Sequence, residues 1–367
     1  MPAFIALFCT VFLFSAHPVV ALEFLYPEQI KQDNDQDLPE NTSLQPQKLT
    51  IYSTTDNSAM REVLLDFQSL YPRISINYHE LQSLEVFQRV QEDKIDQGAD
   101  ITISSAMDLQ MKLVNDGFAQ SVNLTTEFDL PNWATWRDEA YGITLEPAVI
   151  IYYKPYFKDR PLPRNRAELI RFLENSPAGL KGSLATYDIE KSGLGYLFLS
   201  RDDSQYSATW DLVRALGNND VTLLSQSSQI IDGVASGKFK LGYNVLGTYA
   251  ISRLQNNPDL GVILPEDYTT VFTRLAFIPK TAQSPSMGKQ FLEYLLSKRG
   301  QKLLSEKAQL NAIHTDVQNI PAQFKELYDD NRSLRPINVS PGLLVYLDQM
   351  KKKTMLQRWR KALNLKP

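Results

Sequence analysis

The distribution of apolar and polar residues predicts alternating strands and helices from residue 48 onward. Lys48–Ser53 alternates with the period of a half-buried strand, and residues 57–71 carry apolar side chains at helical spacing. Ile74–Tyr78 and residues 100–103 repeat the strand pattern, and a helical pattern follows each of them. Because strands that alternate with helices are typical of a parallel sheet, the pattern predicts an α/β lobe over residues 48–145.

Residues 141–154 form the stretch where the chain is expected to cross between two lobes. Val149–Tyr153 is β-branched and aromatic without a polar break, which favours a buried strand. Glu146 lies between an apolar segment and Pro147, and we expect its carboxylate to face a cleft or to be paired locally. The expected order beyond this point is a second lobe over residues 146–265, a return to the first lobe over residues 266–316 and a C-terminal helical extension over residues 317–367.

The N-terminal residues are expected to form a targeting segment. Phe4–Ala16 is an apolar run of the length of a signal-peptide core and too short to span a bilayer. We predict a cleaved signal peptide over residues 1–21, although no Lys or Arg precedes the apolar run. A truncated start or a buried N-terminal strand is the alternative. The polar residues 22–47 are predicted to be a flexible leader.

Composition narrows the class of protein. The 367 residues are 43% hydrophobic and carry a net charge of −4, so no basic surplus favours nucleic acid as a partner. The only cysteine, Cys9, lies in the predicted signal peptide, and a mature chain without cysteine suits the bacterial periplasm. No other apolar run is long enough to span a membrane. The mature chain is therefore expected to be a soluble monomer.

Hydroxyl side chains cluster where two predicted strands of the first lobe meet helices. Ser53, Thr54 and Thr55 follow the first strand, and Ser104 and Ser105 follow the third. Helix N-termini attract anions, and the carboxyl ends of parallel strands meet at one edge of a sheet. These residues are therefore candidates for an anion site, and ordinary helix capping is the alternative interpretation.

The second lobe offers polar residues at similar junctions. The predicted strand that ends near residue 187 leads to Thr186, Tyr187, Asp188 and Ser192, which could converge on a polar ligand. A second strand contains Tyr243 and Asn244, followed by a helix start. Tyr243 is equally suited to packing. These residues complete the candidate site.

The sequence offers no motif for catalysis or for a cofactor. It lacks G-x-S-x-G, H-E-x-x-H and C-x-x-C, and the G-x-G at residues 193–195 is not a dinucleotide fingerprint because Phe198 replaces the third glycine. We expect no enzymatic activity, no cofactor and no metal ion. A secreted hydrolase is the lesser alternative.

Several motifs together resemble one family. The segment L-E-P-A-V-I-I-Y-Y-K (residues 145–154), the hydroxyl-rich helix starts and the late segment F-L-E-Y-L-L-S-K-R-G-Q-K-L-L (residues 291–304) look like a type 2 periplasmic solute-binding protein. The resemblance covers residues 48–314 and is greatest to the branch of ferric-ion and phosphorylated-solute binding proteins. It implies two α/β lobes joined by hinge strands that close over one ligand, and an ABC permease as partner.

Within that branch, the residues favour an anionic solute over iron. Ferric-ion binding proteins use an adjacent tyrosine pair with a His and a carboxylate, but Asn244 follows Tyr243 and neither His79 nor His314 follows the first strand. We therefore expect a phosphorylated sugar or organic acid, with the first-lobe hydroxyls and helix N–H groups on the phosphate and Thr186, Asp188 and Asn244 on hydroxyls of the ligand body. Iron binding is the alternative.

The C-terminal extension is expected to begin a helix at Ser340 and Pro341, with an apolar stripe from Leu343 to Leu363. Its other side is basic, with three lysines at residues 351–353. It either packs on a lobe or docks a membrane partner. The extension resembles that of binding proteins that regulate phosphoglycerate uptake, which implies a sensor histidine kinase as an alternative partner to the permease.

Overall fold

The computed structural model describes residues 21–29, 47–126, 128–175, 178–254, 256–317 and 334–365. These residues form two mixed sheets with helices packed against them, which confirms the predicted α/β class. The predicted signal peptide, apart from Ala21, and residues 30–46 of the predicted leader lie outside this part of the chain. Among the described residues, no helix has the length and apolar character needed to cross a membrane.

The first sheet defines the first lobe and has the strand order β1-β3-β2-β4-β13-β6-β5. Its three central strands β3, β2 and β4 are parallel, and the outer strands are antiparallel to their neighbours. The strands are β1 (Leu22–Tyr26), β2 (Gln47–Ser53), β3 (Ile74–Glu80), β4 (Ile101–Ser104), β5 (Thr135–Trp136), β6 (Ala140–Gly142) and β13 (Leu275–Phe277).

The second sheet defines the second lobe and has the order β14-β12-β7-β10-β8-β9, with β11 also paired to β7. The long strand β7 is antiparallel to β10, β11 and β12, whereas β10, β8 and β9 run parallel. The strands are β7 (Glu146–Tyr153), β8 (Leu184–Tyr187), β9 (Thr222–Leu224), β10 (Leu241–Leu246), β11 (Leu260–Ile263), β12 (Thr269–Phe272) and β14 (Leu334–Pro336).

The helices follow the sequence pattern closely. In α1, the spacing of Met60, Val63, Leu64 and Phe67 places all four in the first-lobe core. The helices are α1 (Asn57–Leu70), α2 (Ser83–Glu92), α3 (Met107–Asn115), α4 (Lys154–Phe157), α5 (Arg166–Glu174), α6 (Gly193–Gln205), α7 (Thr209–Asn218), α8 (Ser227–Ala235), α9 (Gly247–Arg253), α10 (Pro285–Leu296), α11 (Lys298–Glu306) and α12 (Gln349–Ala362). Short 3-10 helices span Asn132–Ala134, Thr315–Val317 and Pro341–Tyr346.

The structure corrects two of the predicted boundaries. Leu22–Tyr26, assigned to the flexible leader, forms β1 and pairs along its whole length with β3, because Phe24 and Tyr26 pack against the first-lobe core. The expected return to the first lobe at residue 266 occurs later. Residues 269–272 still belong to the second sheet, and only Thr273 and Arg274 separate them from β13 in the first.

The C-terminal extension is anchored on the second lobe. Strand β14 pairs parallel with β12, and α12 packs on α7 through the buried residues Trp359 and Leu363. Gly217 of α7 permits this contact, since a Cβ there would lie 2.7 Å from the Cα of Leu363. The predicted helical stripe is interrupted, because a 3-10 helix precedes α12 as a separate element.

The same extension also reaches the first lobe. The backbone N–H of Val339 donates a hydrogen bond to the carbonyl of Trp133 at 2.7 Å. The 3-10 helix Pro341–Tyr346 packs on α3, and Leu343 shares a buried apolar cluster with Met107. The extension is therefore a third connection between the lobes, beside the two strand crossings.

Helix α3, which contacts the extension, carries a buried acidic residue. Asp108 is 1% exposed, and its Oδ1 accepts no hydrogen bond from the described residues. Burial raises the pKa of the Asp108 carboxyl to about 7, against the smaller opposing effects of backbone N–H groups and Lys352. The folded protein therefore holds a proton on Asp108 that the unfolded chain releases near pH 4.

This proton makes stability depend on pH. Because the pKa is raised in the folded state, the contribution of Asp108 is fully present below about pH 4 and is lost as the pH rises to about 7. We expect Asp108→Asn to raise the thermal unfolding midpoint, with a larger gain at pH 8 than at pH 5. Circular dichroism melts at the two pH values measure this, with the exposed Asp159→Asn as control. An equal change at both pH values would contradict the prediction.

Candidate functional site

A polar cavity of about 80 Å³ lies between the two lobes. Four helices begin at it: the N-cap residues Asp56 of α1 and Gln82 of α2 come from the first lobe, and Ser192 of α6 and Gln226 of α8 from the second. The remaining lining residues are Thr54, Leu81, Ser83, Ser105, Tyr187, Lys191, Gly193, Leu194, Ser225, Ser227, Ser228, Leu246, Tyr249 and Arg274. The positive ends of four helix dipoles therefore point toward the same space.

Arg274 places a buried cation at this cavity. It lies in the crossing between β12 and β13, is 1% exposed, and donates from Nη1 to the hydroxyl of Thr55 at 2.9 Å. Burial opposes its charge, but the Glu146 carboxylate raises the pKa of the guanidinium overall. Arg274 was not predicted from the sequence, where the available signal was an arginine within the apolar segment of residues 271–278.

Glu146 does not line the cavity and instead holds Arg274. The two side chains form an ion pair, with 2.8 Å between Nε of Arg274 and Oε1 of Glu146. The hydroxyls of Thr144 and Thr248 each donate to Glu146 at 2.8 Å, one to each carboxylate oxygen. Of the two expectations for Glu146, the structure shows the local pairing. Its role is to orient a cation that itself faces the cavity.

The cavity also contains polar groups that the sequence analysis missed. Burial raises the pKa of the Asp56 carboxyl, while Arg274 and Arg253 lower it by a smaller amount. Burial likewise raises the pKa of Tyr249 to about 12, so its hydroxyl stays protonated. Asp56 can accept a hydrogen bond from a ligand hydroxyl, and Tyr249 can donate one.

Two of the five first-lobe candidates line the cavity. Thr54 and Ser105 face it, and their loops are linked because the Ser105 N–H donates to the Thr54 hydroxyl at 3.1 Å. The other three lie behind this surface. Ser53 and Ser104 accept hydrogen bonds from N–H groups two residues ahead, and Thr55 is bonded to Arg274. These three side chains support the loops.

Of the second-lobe candidates, Tyr187 and Ser192 line the cavity. The Tyr187 hydroxyl is hydrogen-bonded to Ser227, and Ser192 caps α6 by accepting from the Gly195 N–H at 3.1 Å. Thr186 and Asp188 lie outside the cavity lining. Thr186 donates to the Tyr243 carbonyl at 3.0 Å, and Asp188 pairs with Lys191 at 3.3 Å.

Asn244 was expected to contact the ligand body and Tyr243 either to bind or to pack, and both side chains belong to a second buried polar cluster. Both donate to the Asp202 carboxylate, at 2.7 and 2.6 Å, and Asp202 forms an ion pair with the fully buried Arg166. The physical reason is a bulge: the pairing of β10 with β7 shifts register here, and Asn244 has a φ of 55°. The bulge directs these side chains into the second lobe.

The donors at the cavity suit an oxyanion better than a metal ion. No histidine is among its lining residues, and its tyrosines Tyr187 and Tyr249 are both protonated, since burial raises the pKa of each. Among the described residues, one group of His and acidic side chains has metal-like spacing, namely Asp129, His314 and Asp316. None of its members lines the cavity.

Comparison with known proteins identifies the family of the chain. The family described as bacterial extracellular solute-binding protein matches residues 96–338. The substrate binding protein of an ABC transporter from Agrobacterium tumefaciens is 37% identical over 95% of this chain and 100% of its own, with a TM-score of 0.84. The chain therefore belongs to the bacterial extracellular solute-binding proteins. It is a solute-binding protein and not an enzyme.

Two more distant structures share the fold. AfuA from Actinobacillus pleuropneumoniae, with fructose-6-phosphate bound, is 18% identical over 88% of this chain and 100% of its own, with a TM-score of 0.69. Iron-bound HitA from Pseudomonas aeruginosa is 17% identical over 86% of this chain and 99% of its own, with a TM-score of 0.67. No curated protein matches the sequence. These likenesses confirm the periplasmic-binding-protein fold that the sequence motifs implied.

Variants of Arg274 and Glu146 test whether the two residues form a buried ion pair at the cavity. Arg274→Met should lower the free energy of unfolding by about 3–5 kcal/mol, because it leaves a buried carboxylate without its cation. The double variant Arg274→Met/Glu146→Gln should recover part of this loss. Urea unfolding measures both, and Arg61→Met in the exposed pair with Glu62 is the control. A double variant no more stable than the single one would argue against the pairing.

Proposed function

We propose that this protein captures a small anionic solute in the cavity between its lobes and delivers it to an ABC permease. The solute class that fits best is a phosphorylated sugar or a short phosphorylated organic acid. The observation that carries the proposal is the convergence of four helix N-termini, two from each lobe, with Arg274 on one cavity. Such N-termini and a guanidinium are the groups that bind phosphate oxygens in proteins.

The proposed contacts divide between the lobes. Thr54, Ser105 and Arg274 would hold the anionic group with the N-terminus of α1, and Tyr187 and Ser192 would approach the ligand from the second lobe. Asp56 would accept from a hydroxyl on the ligand body. A ligand that contacts both lobes favours the closed arrangement, because only that arrangement makes both sets of contacts.

The cavity size supports a small ligand. A volume of about 80 Å³ holds about five to eight water-sized groups, on the basis of 10–15 Å³ for each. This is room for a phosphate group with a few further heavy atoms, so a phosphorylated sugar would need the lobes to separate further than they do here. A long oligosaccharide or peptide would need the lobes to separate.

Ferric ion is the less favoured ligand. Iron(III) prefers deprotonated oxygen ligands, whereas the Tyr187 hydroxyl is engaged with Ser227 and Arg274 adds positive charge at the cavity. The likeness to iron-bound HitA is at an identity that supports the fold alone.

The proposed setting is the periplasm. Export by the predicted signal peptide over residues 1–21 would leave a soluble chain, and the family of extracellular solute-binding proteins is consistent with that location. The permease is the proposed partner because the relative from Agrobacterium tumefaciens belongs to an ABC transporter. Because the C-terminal extension is basic and could dock a membrane protein, a sensor histidine kinase is the second candidate partner.

Thermal unfolding tests the ligand class. We expect phosphorylated three- to six-carbon metabolites to stabilise the mature chain, residues 22–367, by about 2.7 kcal/mol at a hundred times the dissociation constant. Ferric citrate and inorganic phosphate are compared under the same conditions. Stabilisation by ferric citrate alone would overturn the proposal in favour of iron.

A variant at the cavity identifies the site. Ser105→Val fills part of the cavity and removes a hydroxyl. The concentration of phosphate ester needed for the same stabilisation should therefore rise at least tenfold. Ser69→Val on the exposed face of α1 is the matched control and should bind as the unaltered protein does. Unchanged binding by the Ser105 variant would place the ligand elsewhere.

A further inference from the structure

A second, larger groove lies on the second lobe, apart from the solute cavity. Its volume is about 550 Å³, and it runs between the C-terminal extension on one side and helices α6 and α7 on the other. Its walls are mostly apolar and include Tyr196, Trp210, Val345 and Met355. Met350 at its rim is 71% exposed and Val345 is 44% exposed, so large apolar side chains face solvent here.

The rim of the groove is positively charged. Helix α12 contains six lysines and arginines and no acidic residue. Lys351, which lines the groove, is exposed and forms no ion pair with the described residues, whereas Arg358 lies over the ring of Trp210, with 4.3 Å between its Cζ and the ring centroid. Asp203 also lines the groove, at 3.9 Å from Arg358. The surface therefore combines an apolar floor with free positive charge.

We propose that this groove docks an amphipathic helical segment of a partner protein, with the apolar face of the segment in the groove and acidic residues against Lys351. An apolar groove between helices is the shape that such segments bind. The excess of cations selects an acidic partner by charge complementarity. The groove is concave, so it suits a protruding helix better than a flat lipid surface.

One helix connects the groove to the solute cavity. Ser192, Gly193 and Leu194 at the start of α6 line the cavity, and Tyr196 and Ser200 of the same helix line the groove. The Tyr196 hydroxyl donates to the carbonyl of Tyr346 in the extension at 2.6 Å. If the proposed solute site holds, a shift of α6 on solute binding changes the groove directly. The docked partner would then respond to solute occupancy.

The test uses designed peptides as probes. An amphipathic helical peptide with leucines on one face and glutamates on the other is titrated into the mature chain, and binding is measured by calorimetry. A peptide with lysines in place of the glutamates is the charge control. We expect the acidic peptide to bind at least tenfold more tightly than the basic one, and its affinity to fall as salt rises.

Matched variants locate the binding surface. Met350→Glu should weaken the acidic peptide at least tenfold, because it places a charge on the apolar rim. Ile95→Glu, at a first-lobe residue that is 74% exposed, should leave binding unchanged. Both positions are on the surface, so both variants should fold.

Three outcomes would overturn the proposal. One is equal binding of the two peptides, and another is binding of the acidic peptide that Met350→Glu leaves intact. The third is tight binding of the chain to phosphatidylglycerol vesicles, or self-association on sizing, that Met350→Glu abolishes, since the occupant would then be a membrane or a second copy. None of these results depends on the identity of the solute, so the solute proposal stands or falls separately.

Discussion

The buried ion pair between Arg274 and Glu146 is the interaction on which the solute site depends. Charges removed from water are costly unless hydrogen bonds compensate them, and here the hydroxyls of Thr55, Thr144 and Thr248 supply part of this compensation, while Nε of Arg274 contacts Glu146 as an ion pair only. The pair lies where both strand crossings meet: Glu146 begins β7 in the second sheet, and Arg274 precedes β13 in the first. The same bonds that join the lobes thus fix the cation of the cavity.

The sequence was sufficient to predict the secondary-structure elements but not the residues of the candidate site. Strand alternation and helical spacing predicted the two α/β lobes, because both patterns are local. The sequence could not show which of Ser53 and Thr54 lines the cavity. Adjacent hydroxyls in one turn point either to the backbone or to the cavity, and the geometry of the turn decides which. Arg274 was missed because its partner Glu146 is 128 residues away. The burial of Asn244 beside Asp202 was not predicted, because strand alternation alone does not reveal a bulge.

The C-terminal extension constrains the movement of the two lobes relative to each other. Two strand crossings alone would leave a hinge that bends freely, but the extension adds a backbone hydrogen bond and an apolar contact with the first lobe. Opening of the lobes must disturb these contacts or carry the extension along. Because the C-terminal extension forms one wall of the groove, the shape of the groove depends on the relative position of the two lobes.

The position of β14 has a consequence for the biogenesis of the protein. This strand covers the outer edge of β12, whose sequence T-T-V-F is rich in β-branched residues, yet it lies more than sixty residues later in the chain. A chain that emerges from its N-terminus therefore presents β12 with an open edge until residues 334–336 arrive. Open β-branched edges are templates for aggregation. Strand β14 thus closes this edge of the sheet, and a chain that has not yet formed it is the form most exposed to edge-to-edge association.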